Sequence, residues 1–300
     1  QWVGPTQTHL LALAKDYGVR VVPQYADGEN IIDIAGRMAR YRGETPGLAD
    51  ADLAEFGAAV GALEAAAARL PVPRPWLAPE AAEWDALTFE SWLLANVPGK
   101  PARELFRALI RAVMSSEAAD VSLLALLAYM ASAGGLEALI ATRGGAQDSL
   151  FEGSVWSIAA KMADELGAAV VLGAPVSKIE QDAKGVTVIS AKGRWRARRV
   201  IVTAPPAMAA RIAYEPPLPA QRDGLTQRMP LGNVIKVALA YDRPFWREQG
   251  LSGLVISDKT EFGPWFDRST RLTKGGALVG FFDGAPARRW ADRTPPDRRA

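Results

Sequence analysis

Two kinds of apolar periodicity divide this sequence, and the division limits the folds open to it. Between Asp50 and Gly135, apolar residues recur at helical spacing in segments cut by stops that no helix enters: Pro71-Val72-Pro73-Arg74-Pro75, Pro98-Gly99 and Gly134-Gly135. From Val176 the pattern shortens to strand-like runs over 176–181, 186–190, 195–203, 233–241, 253–257 and 277–283. Helices first, a β-rich middle and then more strands predict an α+β or interrupted α/β arrangement. At 300 residues the chain makes one large domain or two ordinary ones.

Local signals refine this pattern. Helices are expected over 8–17, over 50–70 with Asp50 or Asp52 as N-cap, over 88–97 with Thr88 as N-cap, over 101–114 and over 157–166. Asp120 is expected to cap a helix so apolar that it must be buried. The segment 30–41 fits a strand hairpin as well as a helix, and 19–22 and 169–172 read as strands. Asp182-Ala183-Lys184-Gly185 is a hairpin turn, and Val200-Ile201-Val202 reads as a strand buried on both faces.

Composition excludes several chemistries. There is no cysteine, so no disulfide, thiolate zinc site, iron–sulfur cluster or cysteine nucleophile arises within the chain. The single histidine, His9, has no defined acidic partner and reads as structural or solvent-facing. The acidic run Asp50, Asp52, Glu55 suits a helix N-terminus better than a metal site. With 35 Lys and Arg against 33 Asp and Glu, nothing marks a nucleic-acid binder. The longest apolar stretch, around Leu123 to Ala133, falls far short of the roughly 20 residues of a membrane span. The lack of cysteine fits a reducing compartment, and a cytoplasmic location is expected.

No phosphate-binding glycine motif is present: none of the 27 glycines has another two positions on. The chain opens on Gln1-Trp2-Val3 without Met and stops in Arg298-Arg299-Ala300, and is expected to be part of a longer one. The segment Trp2-Val3-Gly4-Pro5-Thr6-Gln7 resembles one that the flavin-containing amine oxidases, above all their monoamine oxidase branch, carry just after their nucleotide-binding strands. Four further stretches are similar in order and rough spacing: Pro75-Trp76-Leu77-Ala78-Pro79 with Glu83-Trp84-Asp85; Gly144-Gly145-Ala146-Gln147 through Gly153; Pro216-Pro217-Leu218-Pro219 through Lys236 to Pro244-Phe245-Trp246; and Val279-Gly280-Phe281.

The resemblance implies a two-domain fold, α/β plus α+β. A Rossmann-like FAD domain (1–21 and 153–225) would interleave with a substrate domain (22–152, mainly helical, and 226–300, mainly strands). It implies FAD as cofactor, a small amine as substrate, O2 as oxidant, and imine, aldehyde and H2O2 as products. A homodimer is an open expectation. In the family, Gln1 and Trp2 match a segment passing the flavin ring, and Val176 a backbone contact to the adenine end of FAD. Gln147, Ile140, Phe281 and Gly280 match positions at the substrate cavity, and Trp76 matches its entrance. Lys236 matches a lysine that holds a water near flavin N5. Read from its own strand, Lys236 is equally an edge lysine whose ammonium reaches water.

Other readings stay open: a polyamine or L-amino-acid oxidase, a protoporphyrinogen oxidase or desaturase-like flavoenzyme, or a non-catalytic interaction module.

Overall fold

The computed structural model describes residues 2–270, 272–294 and 296–298. Contacts divide the chain into two compact units, Gln1–Ala159 with Asn233–Ala300, and Ala160–Gly232.

In the first unit a helical layer packs on a mixed sheet. The sheet runs in the order Val234–Tyr241, Gly276–Asp283, Trp265–Asp267, Leu251–Ser257, Glu29–Ile34 and Arg37–Tyr41. Its neighbours are antiparallel except Leu251–Ser257 with Glu29–Ile34, which run parallel. The ambiguous segment 30–41 is thus a hairpin. Ala35 and Gly36 turn it with φ of 53° and 83°, the paired positive values a two-residue turn needs to match strand twist. Alternation then sends Asn30, Ile32 and Ile34 inward. Ile32 and Ile34 join Leu63, Phe89, Leu93, Leu105, Phe106 and Leu127 in the core between sheet and helices.

Each helix follows its local signals, with two corrections. Asp50–Ala67 has Ala49, not an aspartate, at its N-cap; Asp50 and Asp52 lie in the first turn, where they face the helix dipole. Leu123–Ala133 is capped by Ser122, whose Oγ accepts from Ala125 N at 3.1 Å, while Asp120 ends a separate 3-10 turn. A hydroxyl one residue before the helix reaches its free N–H groups, and Asp120 stands too far back to do so.

Thr88 caps Phe89–Asn96 as expected, its Oγ1 accepting from Ser91 N at 3.1 Å. Thr88→Ala should cost about 1 kcal/mol through that orphaned donor. Urea unfolding of the variant beside the parent measures it, and an unchanged midpoint would show the cap to be dispensable.

A small antiparallel sheet of Trp2–Val3, Ser149–Phe151 and Val21–Pro23 ties the N-terminal segment to the loop that carries Gln147. Gly4 sits against that loop so closely that a Cβ there would lie 2.7 Å from Gly145 O.

In the second unit the sheet order is Gly193–Ala197, Gly185–Ser190, Val176–Asp182 and Ala213–Glu215, the last pair parallel. Ile179 and Val186 are its buried apolar centre. Two expected strands do not form. Ala169 ends a 3-10 turn, Gly167–Ala169, and 170–172 follow it without pairing, with Leu172 78% exposed. The run 200–202 belongs to no strand, with Ile201 87% exposed. Apolar content gives a run strand propensity, but no strand among the described residues offers these two a ladder.

Candidate active site

A cavity of about 330 Å³ opens between the helix Lys100–Met114 and the strand Gly276–Asp283. Leu109, Val113, Leu139, Ile140, Ile256 and Phe281 make much of its wall, with Trp2 and Phe266 as aromatic closures. Its polar groups are few: Ser115, Gln147 and Asp283. An apolar hollow with a few converging polar groups is the usual form of a small-molecule site.

The elements place these residues for simple reasons. Lys100–Met114 is amphipathic, and Leu105, Phe106 and Ile110 anchor one side in the core. That leaves Leu109, Ala112 and Val113 toward the cavity. Trp2 is held by its short strand pairing and by Nε1 donating to Gln24 Oε1 at 2.8 Å. Its ring packs on Phe266 and Phe281, with centroids 4.8 and 6.2 Å away. The strand Trp265–Asp267 is fixed by buried Asp267, which accepts from Trp246 Nε1 at 2.8 Å and Arg247 Nε at 2.6 Å.

Gln147 is the most telling polar group. Nε2 donates to Leu139 O at 3.3 Å, while Oε1 is buried with no hydrogen-bond partner. A buried acceptor without a donor is costly, and such groups are rare unless a ligand or water supplies one.

Lys236 does not line the cavity. It lies opposite Phe281 in the sheet, on the face it shares with Val234, Ala238 and Ala240, all four exposed. It has no hydrogen bond or ion pair among the described residues. Partial burial, then the Arg268 guanidinium, push its ammonium below the ordinary lysine range.

Of the residues singled out in the sequence, Trp2, Ile140, Gln147 and Phe281 come together in this cavity, with Lys236 beside it. Gly280 faces away. A Cβ on it would lie 2.9 Å from the Phe262 ring, so its smallness serves aromatic packing on the other side of the strand. Trp76 is 64% exposed in the 3-10 turn Pro75–Leu77 and is not part of the cavity wall. Val176 begins a strand of the second unit and is 37% exposed. Gln1 lies outside the described residues. His9 is exposed, and among the described residues no group of His, Cys, Asp or Glu could hold a metal.

Sequence reasoning missed Asp283 and Phe266, which the sheet register brings to the cavity, and Ser115, which the end of the helix Lys100–Met114 brings there. It also missed an adjoining polar hollow of about 370 Å³, which shares Leu254 and Phe266 with the cavity and carries the exposed pair Asp27–Arg143. No helix among the described residues is long and apolar enough to cross a membrane.

The chain is similar to known proteins in both sequence and fold. A protein named as a flavin-containing monoamine oxidase A in Dictyostelium discoideum is 34% identical over 302 residues, covering 100% of this chain and 66% of the relative. An L-amino acid dehydrogenase of Synechocystis is 33% identical over 310 residues, covering 100% of this chain and 64% of that protein. The solved structure of cyclohexylamine oxidase from Brevibacterium oxydans matches with a TM-score of 0.91 and 31% identity, over 99% of this chain and 66% of that one. The chain thus spans about two thirds of the length of these relatives. The family described as flavin containing amine oxidoreductase matches residues 1–300, and with a fold of over 0.9 TM-score to a solved member the chain belongs to that family.

Proposed function

We propose that this chain serves an FAD-dependent oxidase that converts a primary or secondary amine to an imine. The observation that carries this reading is the unpartnered, buried Oε1 of Gln147 in an otherwise apolar cavity. It is an acceptor waiting for an N–H, and the apolar wall suits the carbon part of an amine.

The residues also fit a flavin. The face Val234, Lys236, Ala238, Ala240 is apolar and open apart from one cation, which has no acidic partner among the described residues. Such a surface suits a flat ring whose polar edge gains negative charge. Lys236 and Trp2 would hold the ring end, with Gln1 and Val176 assigned to cofactor contacts by family likeness. The segments 1–21 and 153–225 would be the FAD-binding part, and 22–152 and 226–300 the substrate part. When bound, the flavin supplies the redox chemistry, taking two electrons as the amine becomes an imine and passing them to O2 to give H2O2. Water then hydrolyses the imine to an aldehyde. The chain's own task is to bind the neutral amine, orient its Cα–H and keep the cavity dry. A side-chain base is not required for a neutral amine.

An amino-acid substrate fits less well. Among the described residues the cavity wall contains no Arg, Lys or His to pair with a carboxylate, and it does contain Asp283.

Peroxide release from the flavin-loaded full-length protein with a panel of amines and amino acids tests the reading. No oxidation of any amine by protein with bound flavin would defeat it. Gln147→Leu should raise KM for amines about tenfold, the worth of one hydrogen bond to the ligand, with unchanged flavin content.

A further inference from the structure

Gln24 lies outside the cavity wall, yet it is bonded to three segments that form that wall. It follows the strand Val21–Pro23, is buried, and lines the adjoining polar hollow instead of the cavity. Its backbone N–H extends the ladder with Ser149–Phe151 by donating to Asp148 O at 2.8 Å. Asp148 closes the loop that carries Gln147, its Oδ1 accepting from Gly144 N at 2.8 Å. The Gln24 side chain reaches the other two segments. Oε1 accepts from Trp2 Nε1 at 2.8 Å, while Nε2 donates to Asp267 O at 2.5 Å and to Tyr25 O at 2.9 Å. Asp267 directly follows Phe266, and its own carboxylate is fixed by Trp246 and Arg247.

Both arms of this carboxamide are specified. Turned over, it would set its NH2 against the Trp2 N–H and its oxygen against two carbonyls. An acceptor on one arm and a pair of donors on the other is a combination that only Gln and Asn carry. Asn is one methylene shorter, so it cannot span from Trp2 to Asp267. A carboxylate would face two carbonyl oxygens, and an apolar side chain would leave three polar groups without this partner. The backbone bond to Asp148 survives such changes, so the side chain's part can be separated from the strand's.

We propose that Gln24 is a positioning residue of the cavity: its carboxamide sets the Trp2 ring and the Phe266 strand in register with the Gln147 loop, and so determines how tightly the amine is held. This rests on the amine-oxidase reading above. The Trp2 ring packs on Phe266 and Phe281 with centroids 4.8 and 6.2 Å away, and these rings wall the carbon part of an amine whose nitrogen meets Gln147. A ligand held at both ends needs the ends correctly spaced, and a misplacement of about 1 Å is enough to weaken it severely. Gln24 touches neither the amine nor the reacting atoms. It acts through Trp2, Phe266 and Gln147, whose contacts hold the amine before and during reaction alike, so its loss falls on KM and not on kcat.

The test uses the flavin-loaded full-length protein and the amine that the panel above shows to be oxidised fastest. Gln24→Met keeps the side-chain length and should raise KM about tenfold, with kcat changed less than about twofold. Gln24→Asn keeps the carboxamide but not its reach, and should raise KM at least about threefold. In a Trp2→Phe background, which lacks the indole N–H, Gln24→Met should raise KM no more than about threefold, because both substitutions break the same bond. A KM equal to the parent's in either single variant overturns the assignment. So does a rise for Gln24→Met that is the same with and without Trp2→Phe. Gln24→Asn decides the matter if Gln24→Met does not fold. A parent that oxidises no amine overturns the amine-oxidase reading, and this assignment with it.

Discussion

Replacing Lys236 with Met in the flavin-loaded protein should slow the O2-dependent half of the cycle about 10²–10³-fold and leave the amine-dependent half nearly unchanged. The expectation follows from where Lys236 stands. Its ammonium has no carboxylate partner among the described residues, and Arg268 adds a second positive charge nearby. Together the two cations make the surroundings of Lys236 electropositive. When O2 takes up electrons, negative charge develops on oxygen, and a fixed cation within reach stabilises it; loss of one such contact typically costs about 3–4 kcal/mol. Amine oxidation builds no negative charge that needs this lysine. Met has similar length, and the strand face is exposed, so the fold should survive. Stopped-flow traces of anaerobic flavin reduction and of reoxidation separate the two halves. Normal reoxidation would return Lys236 to the plain edge-strand role that its strand pattern alone allows.

Asp283 should make the protein less stable as pH rises from about 4 to above 7. Burial pushes its carboxyl up to about 7, opposed by the Ser115 hydrogen bond and the Arg111 charge. The sign follows from proton binding. Between the two values the folded state keeps a proton that the unfolded chain has released, so stability falls with pH across that window. Below about pH 4 both states are protonated and nothing is lost. Above 7 both are ionised and the folded state carries the full penalty, at most about 4 kcal/mol for a shift of this size. Other titratable groups packed around the site, Glu117, Asp258, Lys259, Glu261 and Arg289, lie in the polar hollow that Asp283 also lines or at the Gly284 turn and are common to both proteins. Asp283→Asn keeps an acceptor for Ser115 and removes the charge. It should match the parent at pH 4 and exceed it by a few kcal/mol at pH 8 in urea unfolding. Parallel pH profiles for the two proteins would mean that the carboxyl is not desolvated.

Much of the fold was legible because its signals are local. Thr88 one residue before an apolar periodic run, Gly134 after one, and the proline stops each act within a turn or two, so the helices lie close to where the sequence puts them. The cavity residues Ile140, Gln147 and Phe281 were reached through family likeness, not through any spacing in the chain. What the sequence could not determine is long-range. Glu55 looks like one more acid in a helix N-terminus, yet its carboxylate accepts from Gly99 N at 2.6 Å and caps the helix Lys100–Met114; Glu64 does the same for Leu136 N at 2.6 Å. Residues 200–202 have the composition of a buried strand and are exposed, since a strand is made by a neighbour's backbone as much as by its own side chains. Gly280 and Phe281 are adjacent, but strand alternation sends only Phe281 to the cavity. Asp283 has no local signal at all. It becomes a buried carboxyl because the register with Val234 and the turn at Ser115 carry it out of water, and that desolvation exists only in the assembled tertiary structure.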